Sequence, residues 1–60
     1  MIKLGDLVKY IDYTPEIEVE HVGLVVEINC HMGWNDIKVI TDGGYDYWVS
    51  WQCEVVNGSR

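Results

Sequence analysis

The chain has 60 residues and a formal net charge of −6, with four basic residues set against ten acidic ones. A chain of this length forms one domain, and its folding buries only ~60% of the surface that the unfolded chain exposes. Phosphate binding requires clustered basic side chains, but Lys3, Lys9, Lys38 and Arg60 are scattered along the sequence. The charge therefore disfavours direct binding of nucleic acid and favours either a basic partner or simple solubility.

Two cysteines, Cys30 and Cys53, are too few for a disulfide framework, so we expect free thiols. No apolar run approaches the ~20 residues that span a bilayer. The N-terminus also lacks the pattern of a signal peptide, which predicts an intracellular protein that is not secreted. The start at Met1 and the polar end predict a complete small protein, with one domain over residues 1–57 and a polar tail over residues 58–60.

Period-two alternation of apolar and polar residues dominates the chain, and no window shows helical periodicity. The alternation predicts five strands, over residues 7–11, 23–29, 37–41, 45–49 and 53–56. Asp42, Gly43 and Gly44 follow the third strand and suit the tight hairpin that returns as the fourth. The sequence therefore predicts an all-β fold.

The predicted strands also suggest which side chains are buried. On the second strand Leu24, Val26 and Ile28 share one face, and we expect that face to be the inner one. Ile37 and Val39 are expected to face the core, with Lys38 facing water. The smallest workable core then leaves out most of the aromatic residues and consists of Val8, Leu24, Val26, Ile28, Ile37, Val39 and Val55.

The connections predicted between the strands are long (residues 12–22), medium (30–36), tight (42–44) and a single turn (50–52). This series resembles the five-stranded SH3-like barrel, whose connections are the RT loop, the n-Src loop, the distal hairpin and a 3₁₀ turn. The OB-fold is the alternative five-stranded barrel. It usually places a helix between the third and fourth strands, where Asp42-Gly43-Gly44 leaves no room for one.

Short motifs extend this resemblance over nearly the whole chain. They are GDLV at residues 5–8, GLVV at 23–26, WV at 48–49 and EVV at 54–56. In this order the motifs resemble those of stand-alone SH3-like proteins encoded by tailed phages of marine bacteria and cyanobacteria. The resemblance implies a phage protein that is either cytoplasmic in the host cell or associated with the virion.

The seven aromatic residues are all Tyr or Trp, and Phe is absent. Tyr and Trp are enriched at protein interfaces because they combine a large apolar surface with a polar tip. In SH3 domains a peptide groove is lined by aromatic residues of the RT loop, the n-Src side and the 3₁₀ turn, and the resemblance places Tyr10, Tyr13, Trp34 and Trp51 in similar positions. The alternative is that so small a barrel has too little interior to bury its aromatic residues. The predicted protein-binding residues are Tyr10, Tyr13, Glu18, Glu20, Trp34, Tyr47 and Trp51.

Two departures from the SH3 pattern weaken the expectation of a proline-rich ligand. The Ala-Leu-Tyr-Asp-Tyr motif is incomplete, and Ser50 stands near the position where a proline precedes the 3₁₀ turn. The leading prediction is therefore a protein-binding or assembly module whose partner is another protein or a second copy of the chain. The strict alternation of residues 16–20 (EIEVE) predicts an extra β-ribbon in the first loop, and a homo-oligomer is expected to pair through this loop or through an exposed edge of the barrel.

Other functions receive less support from the sequence. A nucleic-acid-associated barrel of the KOW or Tudor type, or an acidic decoy of a nucleic-acid-binding host protein, is the alternative prediction. The candidates for a Tudor-like cage are Tyr45, Tyr47 and Trp48, but neighbouring strand residues point to opposite faces, which argues against the cage.

Neither a metal site nor a catalytic centre is predicted. The soft ligands His21, Cys30, His31 and Cys53 lack the short, regular spacing of zinc sites. No orienting third group accompanies a possible Cys–His pair, and no glycine-rich phosphate loop is present. We therefore expect no cofactor, no metal and no enzymatic activity.

Overall fold

The computed structural model describes residues 2–56, and its regular secondary structure is all β apart from one 3₁₀ turn at Ser50–Gln52. All five predicted strands are confirmed, with different ends: β1 (Leu7–Tyr13), β2 (Glu18–Met32), β3 (Asn35–Thr41), β4 (Gly44–Trp48) and β5 (Glu54–Val55). The predicted tail over residues 58–60 and the predicted domain end at residue 57 lie outside the described residues. No helix within residues 2–56 is long and apolar enough to cross a membrane.

The strands form one antiparallel sheet in the order β4-β3-β2-β1-β5. The first four strands make a meander, and β5 returns to lie beside β1. Within the described part of the chain the sheet is open, because β4 and β5 at its two edges are not hydrogen-bonded to each other.

The first connection is much shorter than predicted. Instead of a long loop over residues 12–22, β1 and β2 stay paired as far as Tyr13 and Glu18. The Thr14 side chain holds the remaining turn, since its Oγ1 accepts from the Ile17 amide at 3.0 Å and donates to the Ile17 carbonyl at 2.7 Å. The predicted β-ribbon in this segment is therefore confirmed for residues 18–20. The second connection is also shorter than the predicted residues 30–36. It is a turn around Gly33, whose φ is +69°.

The buried core differs from the predicted one in the second strand. Val25 is 1% exposed, whereas Leu24 and Val26 are 40% and 39% exposed, so the predicted inner face was wrong for these two residues. The physical reason is a register irregularity between Val25 and Glu27, which shifts the alternation so that Ile28 again faces the core. Val55, at 42% exposure, was also wrongly placed inside. The buried hydrophobic residues of the core are Val8, Val25, Ile37, Val39 and Trp48.

Trp48 is the largest of the buried side chains within residues 2–56, with only 6% of its surface exposed. Its indole N–H, which would be costly to bury unpaired, donates to Asp46 Oδ2 at 3.0 Å. The predicted core, which left out most of the aromatic residues, was wrong in omitting Trp48. The four aliphatic core residues are too small to fill the interior by themselves, and the Trp48 side chain supplies the missing volume.

Candidate protein-binding site

Three shallow depressions adjoin one another on one side of the molecule. Tyr10 and Gln52 line both the first and the second, while Asn35, Val49 and Gln52 line both the second and the third. Because they share these residues, the depressions form one continuous surface, which we call the aromatic groove. Its aromatic and connecting residues are Tyr10, Tyr13, Trp34, Asn35, Tyr47, Trp48, Val49, Trp51 and Gln52.

The first end of the groove runs beside β1. Tyr13 is 70% exposed there, whereas Tyr10 is half-buried and packs against the core. The Tyr10 ring stacks on His21 and meets Trp48 edge to face, with ring centroids 4.8 Å apart in both pairs. Burial, followed by the charges of Asp12 and Asp46, raises the pKa of the Tyr10 phenol. The phenol therefore stays protonated at neutral pH and keeps a hydrogen-bond donor in the groove.

The other end of the groove carries the two most exposed aromatic residues. Trp34 is 88% exposed and Trp51 is 78% exposed, and both line the third depression with Asn35, Val49 and Gln52. Trp34 lies in the turn between β2 and β3, and Trp51 lies in the 3₁₀ turn. Two turns that are distant in the sequence therefore present their indoles to the same surface.

Asp36 fixes the 3₁₀ turn to β3. Its Oδ1 accepts from the Ser50 amide at 2.8 Å, and its Oδ2 accepts from the Ser50 hydroxyl at 2.6 Å. These hydrogen bonds, the side-chain one first, lower the pKa of the Asp36 carboxyl. The carboxylate is thus the anchor that sets the position of the neighbouring Trp51.

The two predicted acidic residues lie beside the groove and do not line it. Glu18 pairs with Tyr13 across the β1–β2 ladder, and Glu20 pairs with Ile11. Glu20 Oε2 lies 3.2 Å from Lys9 Nζ, which is also 3.9 Å from Glu54 Oε1. Lys9 and Glu54 do line the first depression, so this end of the groove is bordered by one lysine between two carboxylates.

The structure does not assemble Tyr45, Tyr47 and Trp48 into one cage. Trp48 points into the core, while the rings of Tyr45 and Tyr47 lie on the other face of β4. Lys38 Nζ is 4.6 Å from the centroid of Tyr45 and 5.9 Å from that of Tyr47. A lysine of the chain itself therefore already occupies the position that a methylated ligand would take.

Sequence reasoning missed Gln52, Asn35 and Val49, which join the three depressions. None of them belongs to a residue type that marks binding sites. Only their positions in the sequence could have indicated them, since each directly adjoins a predicted aromatic residue or the predicted single turn. His21 was also missed as the stacking partner of Tyr10, although the two residues become opposite once β1 and β2 are paired.

The Cys53 thiol packs against the core. Burial raises the pKa of the Cys53 thiol, and the Asp36 charge raises it further. The protonated thiol lies 3.4 Å from the Val49 carbonyl oxygen and donates to it. Among residues 2–56, no group of three or more His, Cys, Asp or Glu side chains is placed to hold a metal ion.

Comparison with known proteins gave no match to a protein-family model, to a curated protein or to a solved structure.

Proposed function

We propose that this chain is a non-enzymatic protein-binding module that acts through the aromatic groove. The observation that carries the proposal is that Tyr13, Trp34 and Trp51, each more than two-thirds exposed, come from three separate connections or strand ends and line one surface. Large exposed aromatic residues cost solubility when they remain uncovered, and gathered on one surface they mark an interaction site.

We further propose that the five strands belong to an SH3-like barrel and that the protein is phage-encoded. The support is the position of β5 beside β1, the 3₁₀ turn directly before β5, and the motifs that resemble those of phage SH3-like proteins. The short first hairpin replaces the long RT loop that such barrels carry in signalling proteins. Its acidic residues still border the groove, on the outer face of β1 and β2.

The absence of a proposed catalytic role rests on the groups that line the groove. Its side chains are mainly aromatic, amide and aliphatic. Cys53 lies outside the groove, and its raised pKa leaves the thiol a poor nucleophile. The depressions are also open and shallow, unlike the enclosed pockets in which enzymes exclude water.

A binding experiment with one matched pair of variants tests the proposal. Tyr13 and Tyr45 are both exposed tyrosines, at 70% and 65%, but only Tyr13 lies in the groove. Peptides selected from a displayed library of random sequences are titrated against the wild type, Tyr13→Ala and Tyr45→Ala, with binding followed by tryptophan fluorescence. We expect a loss of tenfold or more in affinity for Tyr13→Ala and little change for Tyr45→Ala.

Two results would count against the protein-binding proposal. The first is that no peptide in the library binds saturably, and the second is that both tyrosine variants bind as tightly as the wild type. A gel shift with single-stranded DNA and RNA at low salt completes the experiment. Retention of nucleic acid despite the net charge of −6 would favour the nucleic-acid alternative.

A further inference from the structure

We propose that the partner binds as an added β-strand, with its main chain hydrogen-bonded to the free edge of β1 at Ile11 and Tyr13. The partner segment is extended and carries basic residues. This inference rests on the proposed function, because it describes how the first end of the aromatic groove holds its ligand. It differs from recognition of a preformed proline-rich helix, which leaves the main chain of the groove unpaired.

Among residues 2–56, the edge of β1 is unpaired at Ile11 and Tyr13 because β5 is short. β5 covers β1 only at Val8 and Lys9, which pair with Val55 and Glu54. The same register would place Gln52 opposite Ile11, but the chain turns away there. The Gln52 amide donates to the Val49 carbonyl at 3.0 Å within the 3₁₀ turn and is not available to β1.

The register identifies which backbone groups of β1 face this edge. The Thr14 amide donates to the Ile17 carbonyl, so Thr14 and Ile17 form a hydrogen-bonded pair at the hairpin end. In an antiparallel ladder such pairs alternate with pairs whose N–H and C=O groups point outward. Tyr13 and Ile11 are therefore outward-facing positions. Leu7, four residues before Ile11, confirms the alternation, because its carbonyl accepts from the Val56 amide on the β5 side.

The side chains at this edge are placed to contact both faces of an added strand. Tyr13 and Ile11 lie on one face of β1 and Tyr10 lies on the other, and Gln52 stands across the depression. Successive residues of an added strand point alternately to the two faces, so one set would contact Tyr13 and Ile11 and the other Tyr10 and Gln52. Main-chain bonds would provide affinity, and these contacts would provide selectivity.

The surrounding charge indicates a basic segment and argues against a second copy. Asp12, Glu18, Glu20 and Glu54 all lie on or beside this stretch of β1, and Lys9 is already placed between two of them. Antiparallel pairing of β1 with β1 of another copy would bring two such sets of carboxylates together. Like charges directly across strands are destabilising, whereas lysine or arginine on the added strand would face these carboxylates.

Amide hydrogen exchange on the complex with a library-selected peptide tests the inference. We expect the Ile11 and Tyr13 amides to exchange at least tenfold more slowly when the peptide is bound. The Asp12 amide, which already faces β2, serves as the internal control and should change much less. Synthetic versions of the peptide methylated on alternate amide nitrogens add a second measurement, in which one of the two alternate sets loses binding and the other keeps it.

The outcomes separate this inference from the function on which it rests. Peptide binding that is lost in Tyr13→Ala but leaves the Ile11 and Tyr13 amides unprotected, with both methylated sets still bound, would overturn strand addition and retain the binding module. Failure of every library peptide to bind would overturn both. Selected peptides that carry no excess of lysine and arginine would overturn the assignment of a basic partner.

Discussion

At the scale of single residues, Gly23 on β2 packs too closely against side chains of β3 to carry a side chain of its own. A Cβ atom built on Gly23 would lie 3.0 Å from both Cβ and Cγ2 of Val39, which is completely buried. Gly23→Ala should therefore lower the free energy of unfolding by about 1–3 kcal/mol, because a filled core cannot absorb the extra methyl group. Gly43→Ala is the control, since its Cβ would meet only Thr41 Oγ1 at 3.9 Å. Urea unfolding measures both, and equal losses would contradict the close approach.

Asp36 should make the stability of the protein depend on pH. Its carboxyl has a folded-state pKa below the ordinary value because Ser50 donates two hydrogen bonds to it. The stabilisation is therefore present at neutral pH and is lost as the pH falls through that lowered pKa. Asp36→Asn should melt at a lower temperature than the wild type at pH 7, and the difference in Tm should shrink toward acidic pH.

Asp42→Asn is the control for the Asp36 experiment. Asp42 is an exposed residue of the β3–β4 turn, where asparagine is equally well tolerated. We expect its Tm to follow that of the wild type across the same pH range. A Tm difference for Asp36→Asn that stays constant from neutral to acidic pH would show that the carboxylate charge is not what holds the 3₁₀ turn.

At the scale of elements, β2 combines two phases of alternation in one strand. Val25 points into the core and Val26 points outward, so the same substitution at neighbouring positions distinguishes the two faces. Val25→Ala should cost about 2 kcal/mol of unfolding free energy through lost burial and the cavity that remains. Val26→Ala should cost less than about 1 kcal/mol. If the two costs were reversed, the inner face predicted from the sequence alone would be the correct one.

The strands were predictable because period-two patterns and turn residues are local signals. The Asp42-Gly43-Gly44 hairpin and the single turn at 50–52 were found for this reason. The phase of β2 was not predictable, because residues 23–28 offer apolar side chains on both faces and only the pairing with β3 places the irregularity after Val25. The predicted long loop was wrong because the Thr14 hydroxyl and amide close the hairpin through hydrogen bonds to the backbone of Ile17, and such bonds leave little trace in the sequence.

The candidate site likewise combines residues that local sequence signals predict with residues whose position depends on the folded chain. Tyr10, Tyr13, Trp34 and Trp51 were identifiable by residue type, since amphipathic aromatic residues are typical of interfaces. Which of them would share a surface depended on the turn around Gly33 and on the hydrogen bonds between Asp36 and Ser50. Tyr47 was expected at the site and does line the second depression, although its ring is also engaged by Lys38. Gln52 became recognisable only after the chain was folded.

At the scale of the whole molecule, one row of apolar residues crosses the outer face of the sheet. Leu7, Leu24 and Ile40 are paired in register on adjacent strands and are each about 40% exposed. The sequence predicted self-association through an exposed edge or the first loop, but we expect a homo-oligomer to cover this row instead, because its three apolar side chains are adjacent. If so, Leu24→Lys should convert an oligomer to a monomer in light scattering. Ile17→Lys, at the exposed hairpin tip outside the row, should leave the mass unchanged. A monomeric wild type at high concentration would make the prediction of a homo-oligomer wrong.

The brevity of β5 has a consequence for the order of folding. β1 to β4 are joined by tight turns, so their pairings need only local loop closure, whereas β5 must find β1 across almost the whole chain. We expect the β5 pairing to form last and to open first. Gln52 and Glu54, which border the groove, belong to that late segment. The surface is thus complete only in the fully folded molecule, and any ligand of it should raise the melting temperature by mass action.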